Sequence, residues 1–191
     1  MADVIVGLGS WIIQDGNYGE FAQATNVSFA LEFCPVVPLP RYGRPDHKAP
    51  SFTHILEDSY QVVAQVVHAQ DDWWVLDAGV LMYCDGRPPD NARLGTWLGG
   101  LVFVGIDPFP YFENHAHGPG APALVYDWRI EKIEMETGPI IETKPKHFER
   151  DPEKLGWKEV AKTDAWHDDG SYLLHCARLG GPRRPNSRDR P

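Results

Sequence analysis

From Tyr60 to His68 and again from Trp73 to Tyr83, side chains alternate in character about the polar patch Gln70-Asp71-Asp72. The first run places Tyr60, Val62, Ala64 and Val66 on one face, the second Trp74, Leu76, Ala78, Val80 and Met82. A helix turns once in about 3.6 residues and would scatter these sets, whereas a strand with one buried face keeps them together. The two runs predict a long antiparallel hairpin with Gln61, Gln65, Trp73 and Asp77 on its other face. They commit the chain to a β fold.

The rest of the chain reads the same way. Val27–Phe33 alternates with Phe29, Leu31 and Phe33 together, which predicts another long strand. Pro35 to Pro50 holds five prolines and no period, so it reads as a surface excursion, and Ser51–Ile55 as a minor strand. Trp97–Ile106 is apolar but carries Gly99, Gly100 and Gly105, the mark of bends or close backbone approach. Leu124, Tyr126, Trp128 and Ile130 share a face; Ile133 and Met135 change parity, predicting a bulge near Glu131-Lys132. Asp151 to Gly156 has the grammar of one helical turn. Trp157–Thr163 and Tyr172–Leu179 are expected to close the fold as a hairpin.

The expected architecture is all-β and mainly antiparallel: a single domain over residues 1–179, then a disordered basic tail, 180–191. An OB-like Greek-key β-barrel with extra strands fits three long strands followed by a glycine-kinked fourth. A β-sandwich is the alternative.

Composition narrows the functions. Hydrophobic residues make up 42% of the 191 and aromatics 12%, enough for a large core and too much for a disordered body. The net charge is −9, although the tail carries Arg183, Arg184, Arg188 and Arg190 against Asp189 alone. An acidic body repels phosphate, so nucleic acid is an unfavoured partner and a basic protein a favoured one. Cys34, Cys84 and Cys176 form no C-x-x-C pair, and an odd count argues against a disulfide framework. Reduced thiols, no basic-then-apolar leader and no membrane-length apolar run predict a cytoplasmic protein with no membrane association.

Several patterns imitate chemistry. Val4-Ile5-Val6-Gly7-Leu8-Gly9 mimics the strand-to-glycine turn of a dinucleotide fold, with Glu32 at the distance of a ribose contact. Ile12 replaces the third glycine and Asp15-Gly16-Asn17 interrupts where a helix is needed, so the segment is expected to be irregular. Glu113-x-His115-x-His117 would project three ligands to one side of an extended chain, a set suited to a divalent metal. It resembles the first metal motif of the cupins, but the next carboxylate after His117 is Asp127. On this alternative the protein is a metal-dependent enzyme. His167 with Asp168, and His175 beside Cys176, could serve acid–base or nucleophilic chemistry but lack a third group or an activating environment.

The aromatics point elsewhere. Trp73, Trp97, Phe109, Tyr111 and Phe112, with Asp77, form the candidate surface for a ligand or protein partner. Prolines stiffen Asp107–Phe112, and a stiff loop presents aromatics at low entropic cost. The leading expectation is a non-catalytic binding domain without cofactor, of an inhibitor or immunity type, for a basic protein. Single-strand nucleic-acid binding on an OB face is a further alternative.

Overall fold

The computed structural model describes residues 4–43, 49–151, 153–166, 170–186 and 189. Strands make up 53% of the chain and helix 6%, and five strands close a barrel to which further strands are added. The barrel strands are β3 (Leu31–Pro35), β5 (Ser59–Ala69), β6 (Trp73–Asp77), β7 (Leu81–Asp85) and β8 (Trp97–Ile106). Numbering is in chain order, with β1 (Val4–Gly9), β2 (Asn26–Phe29) and β4 (Ser51–Leu56) as added strands. β5 pairs antiparallel with β6 and β8, β6 antiparallel with β7, and β3 antiparallel with β8. A parallel bridge, Glu32 to Tyr83, joins β3 to β7 and completes the ring.

The apolar alternation of β5 is what fills it. Tyr60, Val62, Ala64 and Val66 are buried and face Val102 and Leu98 of β8 and Leu76 of β6. Phe33 meets Trp74 edge-on at 4.9 Å between ring centroids, the geometry aromatic quadrupoles favour. Tyr60 plugs one end: its hydroxyl accepts from Ile5 N at 2.6 Å and donates to Ile5 O at 3.0 Å, tying β1 to the barrel.

The second layer is built on β9 (Val125–Thr137), which pairs with β2, with β12 (Gly156–Glu159) and with β13 (Ser171–Arg183). β13 pairs on its other side with β1. One parallel bridge, Gly7 to Gly105, joins β1 to β8 and so joins the layers. β10 (Ile140–Lys144) and β11 (His147–Arg150) form a separate exposed hairpin. The apolar side chains of both layers belong to one continuous core.

Several expectations need correction. The run Trp73–Tyr83 is not one strand: Gly79 at φ +91 turns the chain between β6 and β7, and Asp77 Oδ1 holds the turn by accepting from Gly79 N. Val27–Phe33 is divided at Ala30, so β2 serves the second layer and β3 the barrel. Val4–Gly9 is not irregular but a regular strand, followed by the five-residue helix α1 (Ser10–Gln14). The bulge near Glu131 is present, where the β9–β13 register skips from Lys132 to Ile130.

The closing hairpin does not form. β12 pairs with β9, because the residues after it run along the N-terminal segment instead of turning back: Gln23 N donates to Ala161 O and Phe21 N to Thr163 Oγ1. Nor does order stop at Leu179. β13 continues to Arg183, whose guanidinium grips Asp127 and Asp189 at 2.7 and 2.6 Å. Arg184 donates to the carbonyls of Ala116 and Ala121.

Candidate functional site

The segment after β8 does not present its aromatics. Phe109, Tyr111 and Phe112 are buried, Tyr111 completely, and Phe109 stacks on Phe112 at 5.0 Å. The reason is Asp107 at the end of β8. Its Oδ1 accepts from the backbone N–H groups of Phe109 and Tyr111 and from the Tyr83 hydroxyl. That folds the segment onto the outer face of β6 and β7. Trp73 is therefore buried too, against Tyr111 and His115. Asp77 and Trp97 remain half-buried, and both pair with Gln65, so they share a row on the outside of the barrel.

The metal pattern fails on backbone conformation. Tyr111–His115 is a π-helical turn and not an extended segment. It sends His115 inward, stacked on Trp73 at 4.6 Å and bonded through Nε2 to Asp85 Oδ1 at 2.9 Å, while Glu113 and His117 are exposed. Among the described residues no group of three or more His, Cys, Asp or Glu side chains could hold a metal ion. His175 bonds Glu134 Oε2 at 2.6 Å, and Cys176 is buried with its thiol pushed up by desolvation. His167 and Asp168 lie outside the described residues.

The most chemically distinctive cavity lies between the layers. It is a cleft of about 380 Å³ lined by strands β1, β3, β8, β9, β12 and β13 and by the β4–β5 turn. The β-register explains why it exists. Glu32 pairs with Gly105, and Gly105 with Gly7, so a row crossing three strands carries one side chain and then two glycines. The missing side chains open the floor. A Cβ on Gly7 would stand 2.4 Å from Asp58 Oδ2, so the Asp58 carboxylate fills the space that glycine leaves.

Asp58 is placed by the tight turn between β4 and β5. Leu56 pairs with Ser59, leaving Glu57 and Asp58 as the two turn residues, and Asp58 O accepts from Val104 N at 2.9 Å. Glu57 takes φ +52, a left-handed conformation uncommon for a residue without a short polar side chain. Its carboxylate accepts from Trp157 Nε1 at 2.7 Å, which fixes the indole at the cleft wall. Glu136 completes the acidic lining and, alone of the four acids among the described residues, is paired with a cation, Arg150 Nε at 3.5 Å.

Burial raises two of these acids. Glu32 is pushed up to about 7, first by desolvation and then by the charges of Asp107 and Asp85 behind it. Asp58 is raised by burial, opposed by its backbone hydrogen bond. Among the described residues no lysine, arginine or histidine lines the cleft. Raised carboxylates in a cleft are a recognised mark of functional sites. The sequence held a trace of this site: Glu32 stands between buried Leu31 and Phe33, and Gly7 and Gly105 interrupt apolar strands.

No protein-family model, curated protein or solved structure matches this chain.

Proposed function

We propose that this protein is a non-catalytic binding module that receives a cationic group of a basic protein partner in the cleft between barrel and second layer. An inhibitor or immunity-type protein would act in this way. One observation carries the reading: Glu32, Glu57 and Asp58 line the cleft beside the Arg150-paired Glu136, and among the described residues no lysine, arginine or histidine is part of that lining. A carboxylate taken out of water without a counter-charge is costly, and a cationic ligand is the natural source of that charge. The net charge of −9 draws such a partner in. Three free thiols suit a reducing compartment such as the cytoplasm.

The barrel order supports a binding role. Counted from β5, the strands β5, β6, β7, β8 and then β3 follow OB pairing: first with second and fourth, third in parallel with fifth. On this reading the barrel is OB-like with its last strand moved to the front of the chain. OB ligands use the face of the second and third strands, here β6 and β7. Trp73 and Tyr83 of that face are buried under Asp107–Pro122, so single-stranded nucleic acid would find no open aromatic platform. The binding site moves instead to the outside of β3 and β8.

Calorimetric titration with hexa-arginine at low salt tests the proposal. The native protein should bind it saturably, and Glu32→Gln/Asp58→Asn should weaken binding about tenfold or more, as expected for lost charge-assisted hydrogen bonds. Equal affinity for both proteins, or no binding by either, would overturn it.

A further inference from the structure

Resting on that reading, we infer that the occupant of the cleft is an arginine flanked by large apolar residues on a protein partner, not a free small cation. The carboxylates are set within exposed apolar surface. Leu56, immediately before Glu57 at the turn, is 64% exposed, and Phe103 in the cleft lining is 44% exposed. Leu155, two residues before Trp157, is also exposed, and the half-buried Trp157 forms a wall. Phe103 pairs with both Cys34 and Ser59, so it lies beside the strand that carries Glu32 and the turn that carries Asp58. A small cation such as ammonium or a polyamine would leave these side chains in water.

A charged centre within an apolar, aromatic margin is the layout of a protein–protein hot spot, where arginine is enriched and lysine depleted. Arginine suits the centre for physical reasons. The planar guanidinium offers five donors to several carboxylates at once, stacks on aromatic faces, and is less strongly hydrated than an ammonium. That last property matters where burial already raises Glu32 and Asp58. The occupant's charge complements the cleft, and its neighbours cover Leu56, Phe103 and Leu155.

The structure also supplies a reporter. Cys34 lines the cleft and is exposed, whereas Cys84 is half-buried and Cys176 buried, so alkylation of Cys34 reads occupancy directly. Three blocked tripeptides serve as probes: leucyl-arginyl-phenylalanine, leucyl-lysyl-phenylalanine and glycyl-arginyl-glycine. The first should bind about tenfold more tightly than the third, the order expected from burying one or two apolar side chains. It should also bind more tightly than the lysyl peptide and slow Cys34 alkylation in proportion to occupancy. In Leu56→Ser/Phe103→Ser the ratio between the first and third peptides should fall toward one.

Equal affinity for the two arginyl peptides, or a ratio unchanged in that variant, would overturn the inference even where hexa-arginine binds. A lysyl peptide as tight as the arginyl one would overturn the choice of arginine. Failure of hexa-arginine itself would remove the underlying function.

Discussion

Glu32 is the residue on which stability and the proposed binding role pull in opposite directions. Its carboxyl is raised to about 7, and the groups around it are acidic or hard to ionise: Asp107, Asp85, Tyr83 and Cys84. A carboxyl whose folded value lies above its unfolded one contributes stability below the unfolded value of 4.5, and loses it as pH rises through about 7. Glu32→Gln keeps the shape and removes the charge. It should therefore leave stability unchanged near pH 4 and raise it near pH 8, by about 3 kcal/mol at most. Denaturant titrations at both pH values check this, and an equal effect at the two would show that charge is not the cause. The same substitution should weaken hexa-arginine binding. A side chain that costs stability and supports binding is what a functional site commonly contains. Gly7 tests the neighbouring carboxylate. Gly7→Ala would force Asp58 Oδ2 from a position 2.4 Å from the new Cβ. Because the displaced atom ends a side chain, stability should change by about 1 kcal/mol or less while hexa-arginine affinity falls. Unchanged affinity would remove Asp58 from the site.

At the scale of elements, Asp107–Pro122 matters most, because it decides which face of the barrel is free. Tyr111 is fully buried, and its hydroxyl donates to Pro122 O at 2.7 Å and accepts from Leu124 N at 3.1 Å. Tyr111→Ala should cost about 3–5 kcal/mol in chemical denaturation, as for other large buried aromatics. A loss below about 1 kcal/mol would return the segment to the surface role its prolines suggest. That contrast marks how far the sequence could be read. Period-two alternation located β5 nearly to the residue, because one buried face leaves that pattern whatever lies opposite, and the apolar run Trp97–Ile106 located β8. It could not show that the other face of β6 is also buried, since what covers Trp73 comes from residues 107–122. Nor could it separate β6 from β7, where Ala78-Gly79-Val80 continues the alternation through a turn. The cleft was less legible still. It depends on Glu32, Gly105 and Gly7 falling into one row, and although each residue stands out in its own strand, no local pattern fixes the register between strands so distant in sequence.

For the whole molecule, the proposed function implies that charge sets how a partner arrives and the cleft sets how long it stays. A net charge of −9 acts over a Debye length of about 10 Å at moderate salt and steers any basic partner before contact. The cleft charges act after contact, partly buried and so screened much less. The two contributions should separate in kinetics. For hexa-arginine, the association rate should fall about tenfold between low and moderately high salt, while the dissociation rate changes far less. Glu32→Gln/Asp58→Asn should invert the pattern, speeding dissociation and leaving most of the salt dependence of association in place, since it removes two charges of a widely distributed field. Stopped-flow mixing across a salt series measures both rates. If the double variant abolished the salt dependence of association, the long-range field would originate in the cleft. If instead it left dissociation unchanged, the peptide would be held by the acidic surface at large, and the row of Glu32, Gly105 and Gly7 would be a packing feature of the joint between the two layers.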